Sequence, residues 1–105
     1  MTTPTHYRWK HGAPRTVFIT GSSSGIGRDM ARRLAAEGAS IALFNRSGAE
    51  DVLQELRAAA RSPAQRFAAW RADVSDADAL AAEVALAVRD LGAPDLTIHS
   101  AGVLH

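Results

Sequence analysis

Thr20-Gly21-Ser22-Ser23-Ser24-Gly25-Ile26-Gly27 joins two segments of opposite texture. Ahead of it, Thr16-Val17-Phe18-Ile19-Thr20 is β-branched and aromatic without alternation, which suits a strand buried on both faces. Behind it, Ile26, Met30 and Leu34 recur at helical spacing and Ala31 and Ala35 widen the stripe, so a helix is expected from about Gly25 to Glu37. Gly38 stands where a left-handed residue stops such a helix. In a strand–turn–helix setting each glycine meets a separate demand. Gly21 permits the sharp turn off the strand, Gly25 lets the backbone come close to a bound phosphate group, and Gly27 lets the helix pack close to the sheet. The amides at the helix start, together with the helix dipole, make an anion site there, and the serine hydroxyls add donors.

The same alternation continues to the end of the chain. Ser40-Ile41-Ala42-Leu43-Phe44 predicts a second strand. Ser47-Gly48-Ala49-Glu50 has capping-box spacing, Val52, Leu53, Leu56 and Ala60 follow at helical intervals, and Pro63 closes the segment. Arg66 to Ala72 predicts a third strand around Phe67 and Trp70, with Trp70 as a packing residue. Ser75, with Asp76 and Asp78 in the first turn, starts a third helix whose buried stripe is Leu80, Val84, Ala87, Val88 and Leu91, and Gly92 and Pro94 end it. Leu96-Thr97-Ile98-His99 predicts a fourth strand, cut short at Ser100-Ala101-Gly102. The order β-α-β-α-β-α-β argues for right-handed crossovers and a parallel sheet. The expected fold is α/β, the amino-terminal half of a Rossmann-type doubly wound sheet. Right-handed crossovers place the first two helices on one face and the third on the other, with the fourth strand beyond the first. Such a strand offers an unpaired edge, a template for pairing with another chain, a second copy included. Residues 1–14 show no periodicity and are expected to be a flexible tail, leaving residues 15–105 as the folded domain.

Composition narrows the functional classes. A chain of 105 residues with 47% hydrophobic and 22% charged residues has material for one modest core and no more. The net charge of +1 lends no support to a nucleic-acid or lipid-surface partner. Cysteine is absent, which removes disulfides, thiolate nucleophiles and cysteine metal sites from consideration and fits a reducing compartment. No apolar run approaches a bilayer span and Met1 to Lys10 has no secretory character, so a cytoplasmic protein is expected. His6, His11, His99 and His105 lack metal-ligand spacing, and Trp9 and Trp70 lack the basic interleaving of a single-strand binder.

The glycine turn itself admits several occupants. A P-loop requires Gly-Lys followed by Ser or Thr, whereas Gly27 is followed by Arg28-Asp29. A methyltransferase-type loop calls for an acidic residue at the end of the second strand, where Asn45-Arg46-Ser47 stands instead. A ligand-free Gly/Ser turn is the plain structural alternative. The flanking strand and helix favour a dinucleotide.

The turn resembles the cofactor motif of the short-chain dehydrogenase/reductase family, and the resemblance extends over Arg15 to Leu104. Asp73-Val74 sits where that family sets an acidic residue against the adenine amino group. Ser100-Ala101-Gly102 is similar to its Asn-Asn-Ala-Gly segment, with His99 and Ser100 in place of the asparagines. The resemblance implies that Gly21, Ser23, Ser24, Gly25, Ile26 and Gly27 surround the pyrophosphate and adjoining ribose, that Asp73 and Val74 contact adenine, and that Ser100, Ala101 and Gly102 lie along the cofactor. At the end of the second strand a carboxylate would favour the free ribose hydroxyls of NAD. Asn45 is neutral and Arg46 offers a guanidinium fork, so NADP is expected in preference to NAD. Arg28 and Arg32 are expected on an exposed helix face, with Arg28 near enough to the turn to assist.

Family members exchange hydride between the nicotinamide and a carbonyl or alcohol substrate. They use a tyrosine, a lysine four residues later, and a serine. All three are expected beyond this segment, because Tyr7 and Lys10 are spaced by three and lie in the tail. No catalytic residue is therefore assigned. The chain is expected to be the amino-terminal portion of a longer enzyme and marginal in isolation, and a non-catalytic dinucleotide-binding or regulatory module is the alternative.

Overall fold

The computed structural model describes residues 14–21, 25–46, 49–73 and 75–99. Its strands are β1 (Thr16–Thr20), β2 (Ser40–Asn45), β3 (Phe67–Arg71) and β4 (Leu96–His99). Between them run α1 (Gly25–Ala36), α2 (Glu50–Ala59) and α3 (Ala77–Leu91). The strands form one parallel sheet in the order β3-β2-β1-β4, with Val17 of β1 in register with Ile41 on one side and Leu96 on the other. The alternation of helices and strands is the expected one, and the fourth strand lies beyond the first.

Successive side chains of a strand point to opposite faces, so an unbroken apolar run must be covered on both. Val17, Ile19, Ile41 and Leu43 pack under α1 and α2 against Ala31, Leu34, Ala35, Val52, Leu53 and Leu56. On the other face, Phe18, Ala42 and Phe44 meet Ala87 of α3, with Trp70, Leu80, Val84 and Leu91 partly buried around them. Phe44 lies between Phe18, at a centroid distance of 5.4 Å, and Trp70, at 5.8 Å and nearly parallel. Trp70 is thus a packing residue. The faces are unequal, because two helices cover one and α3 alone lies over β2 and β3 on the other. On β4, Leu96 and Ile98 pack toward the two-helix face, while Thr97 and His99 are exposed.

Local chemistry sets the element ends. Gly38 has φ of 106°, and the bonds Ala39 N–H to Leu34 C=O and Gly38 N–H to Ala35 C=O close α1 in a Schellman arrangement. Gln65 adds to this end, its amide nitrogen donating to the carbonyls of Ala35 (2.8 Å) and Ala39 (2.7 Å). The Asp95 carboxylate accepts from the amides of Arg15 (2.6 Å) and Thr16 (3.2 Å), which ties the start of β1 to the segment before β4.

Several expectations about helix faces and caps are corrected. The buried residues of α1 are Gly27, Ala31, Leu34 and Ala35, while Ile26 is 77% exposed. A row of residues spaced by four rotates about 40° per step, so Ile26 has turned out of the interface that Leu34 enters. Small residues bring the helix close to the sheet instead. The N-cap of α2 is Ala49, buried against the core and with no side-chain cap bond, while Ser47, the expected start of a capping box, lies outside the described residues. The N-cap of α3 is Asp76, whose carboxylate accepts from the Ala79 amide (3.1 Å), because Ser75 is engaged by Asp73. Val88 is 39% exposed rather than part of the buried stripe, and Ala87 holds the centre of the α3 interface.

Candidate functional site

In a parallel sheet all carboxyl ends lie on one edge, so the segments that follow β1, β2, β3 and β4 converge there. The turn after β1 starts at Gly21, whose amide donates to the Phe44 carbonyl of β2 (3.1 Å). Gly21 has φ of 74° and Gly25 has φ of 65°, a region that L side chains adopt only under strain. A Cβ built on Gly25 would meet nothing within 4 Å, so among the described residues the space above it is open. Gly27, two residues on, is a buried residue of α1, as close packing of the helix requires. Ile26 projects into solvent from the first turn of α1, beside the glycine turn. Ser23, Ser24, Val74, Ser100, Ala101 and Gly102 lie outside the described residues, as do residues 1–13.

At the end of β2, Asn45 is 4% exposed and its carbonyl accepts from the Ala72 amide (2.8 Å), while Arg46 next to it is exposed. No carboxylate stands at that strand end. Asp73 follows β3 and receives the Ser75 hydroxyl (2.7 Å) and the Ser75 amide (2.9 Å). The hydroxyl bond, then the amide bond, holds the Asp73 carboxyl below its usual range, and the positive charge of Arg46 adds a smaller pull in the same direction. Arg46 and Asp73 thus place opposite charges on adjacent strand ends. At the end of β4, the imidazole Nδ1 of His99 lies 3.4 Å from the hydroxyl of Thr20, its register partner on β1. Strand register brings these two residues together across a long sequence separation, which composition and periodicity could not reveal.

Arg28 is not the exposed-face residue that spacing implied. Its Nε donates to Glu55 on α2 (3.0 Å) and its second nitrogen pairs with the other carboxylate oxygen, a bidentate bridge that keeps the Glu55 carboxyl low and joins α1 to α2. The bridge holds its guanidinium against α2. Arg32 and Arg33 pair with Asp29 on their own helix, and Arg32 is half-exposed as expected. Among the described residues, no helix is long and apolar enough to cross a membrane.

A parallel sheet that reverses its strand order between β1 and β4, with a glycine turn at that reversal, defines a Rossmann-type doubly wound fold. The family model described as short chain dehydrogenase matches residues 15–105. Over 94 residues the chain is 42% identical to a 3-ketodihydrosphingosine reductase of Neurospora crassa, covering 85% of this chain and 26% of that protein. It is 38% identical over 93 residues to a cis-4-hydroxycyclohexanecarboxylate dehydrogenase of Sinomonas cyclohexanicum, covering 87% of this chain and 35% of that one. The crystal structure of carveol dehydrogenase from Mycobacterium avium in complex with NAD superposes with a TM-score of 0.75 at 28% identity, covering 85% of this chain and 36% of that chain. The chain belongs to the short chain dehydrogenase family, of which it represents an amino-terminal portion. It spans 26% to 36% of the length of these proteins.

Proposed function

We propose that this chain is the cofactor-binding portion of an NAD(P)-dependent oxidoreductase that prefers NADP and acts on a small carbonyl or alcohol substrate. The observation that carries the proposal is the turn between β1 and α1, where two glycines hold positive φ and the space above Gly25 is open. The residues present fit a dinucleotide. Among the described residues nothing beyond its chain neighbours lies within 4 Å of a Cβ placed on Gly25, the start of a helix offers free amides to an anion, and no carboxylate at the end of β2 repels a ribose phosphate. Family membership and the NAD complex of carveol dehydrogenase support the same ligand class.

In this proposal Gly21, Ser23, Ser24, Gly25, Ile26 and Gly27 enclose the pyrophosphate and its ribose. Arg46 donates to the 2′-phosphate, with the buried, neutral Asn45 beside it. Asp73 and Val74 border the adenine, where the Ser75 bonds keep the Asp73 carboxylate ionised and oriented to accept from an amino group. Ser100, Ala101 and Gly102 continue along the cofactor. When bound, the nicotinamide supplies or accepts the hydride. The chain's own residues orient the cofactor and select it by charge.

The test compares NADP and NAD affinities in the protein as its gene encodes it and in Arg46→Asp. Replacing a guanidinium by a carboxylate should weaken NADP by at least about tenfold and leave NAD unchanged or tighter, because the phosphate contact is lost and a repulsion gained. Equal loss for both cofactors, or none for NADP, would remove Arg46 from the selection.

A further inference from the structure

β3 stands at the margin of the sheet, paired with β2 on one side alone. Further strands of a doubly wound sheet add beyond β4, so β3 stays outermost. Two bonds fix which way its backbone groups point. The Ile41 amide donates to the Arg66 carbonyl (2.9 Å), and the Ala72 amide donates to the Asn45 carbonyl (2.8 Å). Alternation along a parallel ladder then turns the backbone groups of Ala68 and Trp70 toward β2 and those of Phe67, Ala69 and Arg71 outward. Natural edge strands are blunted by proline, by bulges or by inward-pointing charges. β3 has none of these. Its register with β2 is unbroken from Phe67 to Arg71, and Phe67-Ala68-Ala69-Trp70 is uncharged and partly exposed.

We infer that β3 pairs antiparallel with the β3 of a second copy of this chain, about a two-fold axis at Ala69, so that one sheet runs through a dimer. The inference does not depend on the proposed cofactor. A two-fold contact requires a strand that complements itself, and β3 does so in backbone, shape and charge. Centred on Ala69, the pairing sets Ala69 opposite its own counterpart and Phe67 opposite Arg71 of the partner subunit. Every outward-pointing residue then faces another, and each such pair exchanges two N–H to C=O bonds. A shift of the register in either direction leaves one of them unmatched. Phe67 and Ala69 pack toward the two-helix face, and Arg71 shares that face by alternation, so each guanidinium lies against a Phe67 ring. On the α3 face, Trp70 falls opposite Ala68, a large residue against a small one, and keeps its stack on Phe44. Arg66, the other charge beside the strand, falls opposite Ala72 and stays bonded to the Asp90 carbonyl (2.7 Å), so like charges do not meet. An unrelated extended peptide would satisfy the backbone groups alone, whereas the side-chain match is to this strand itself.

The test uses the protein as its gene encodes it, with sedimentation and residue-resolved amide exchange by NMR followed over a dilution series. As copies associate, the amides of Phe67, Ala69 and Arg71 should slow at least about tenfold, while those of Ala68 and Trp70, bonded to β2, stay protected throughout. Arg71→Pro removes an outward N–H and the guanidinium without touching a bond to β2, and Arg71 is exposed, so the fold keeps its core. It should raise the dissociation constant of the dimer at least about tenfold. Outward amides that exchange equally fast at every concentration would overturn the inference, as would association that is unchanged in Arg71→Pro. So would outward amides protected in a monomer, since another segment of the chain or a bound peptide would then hold the edge. If Arg71→Pro does not fold, Arg71→Glu takes its place. It should weaken association at least about threefold through the lost contact with Phe67, and an unchanged dimer would refute the pairing.

Discussion

Replacing Gly25 by alanine separates the cost of a turn from the cost of a lost ligand. At φ of 65° an L residue occupies the left-handed region, which costs about 1–2 kcal/mol. Alanine also restricts the unfolded chain, which returns about 0.4–1 kcal/mol. A Cβ at this position meets nothing within 4 Å, so no steric term is added. The net loss should be about 1 kcal/mol, or about 4–8 °C in Tm if the unit that melts is as small as this domain. If the proposed function holds, the methyl group occupies the space a phosphate would take, so dinucleotide affinity should fall at least about tenfold, or about 1.4 kcal/mol. Gly38→Ala is the matched control, because Gly38 also holds positive φ (106°), also has nothing within 4 Å of a built Cβ, and lies at the opposite end of the sheet. It should lose stability and keep its affinity within about twofold, a shift of under about 0.5 kcal/mol. Thermal melts and dinucleotide titrations on both variants decide the matter. Gly25→Ala binding as tightly as the native protein, or Gly38→Ala losing affinity equally, would refute the assignment of the turn.

Leu56→Ala should destabilise the protein by about 2–5 kcal/mol in denaturant unfolding, because Leu56 is fully buried between α2 and the sheet and the cavity cannot fill from solvent. A loss under about 1 kcal/mol would show that the α2 interface repacks. Asp73 titrates below its usual range when folded, so its stabilising contribution is fully present above the ordinary carboxylate value and is lost as pH falls through the depressed one. Ser75→Ala should return the Asp73 titration, followed by NMR, toward the ordinary value, and an unchanged titration would show that the Ser75 hydroxyl is not its main support.

The fold was legible because its signals were local and redundant. The unbroken run Thr16 to Thr20 could be buried only between two layers, and Gly38 and Gly92 marked helix ends that the structure closes with positive φ. The place of β4 beyond β1 followed from the doubly wound pattern, and crossover handedness then put α1 and α2 on one face and α3 on the other. The helix faces were less legible. Ile26 and Val88 sit on apolar stripes, but which part of a stripe meets the sheet depends on helix roll, and α1 rolls onto Gly27, Ala31 and Ala35 because small residues allow a closer approach. Ser75 and Asp76 are both good caps, and only the competing bond from Ser75 to Asp73 decides for Asp76. The positions of Gly21, Gly25, Gly27, Asn45, Arg46 and Asp73 near one end of the sheet followed from motif order. The Thr20–His99 contact and the Arg28–Glu55 bridge did not, since each joins residues that only tertiary packing brings together.

The central claim is that the turn after β1 holds a dinucleotide, and hydrogen exchange by mass spectrometry with and without NADP tests it most directly. Exchange should slow in peptides spanning Thr20 to Arg28 and at the ends of β2 and β4, with residues around Gly38 unchanged, because the ligand would cover the carboxyl edge of the sheet alone. A folded protein whose exchange is unaltered at saturating NADP, or slowed only away from that edge, would contradict the account.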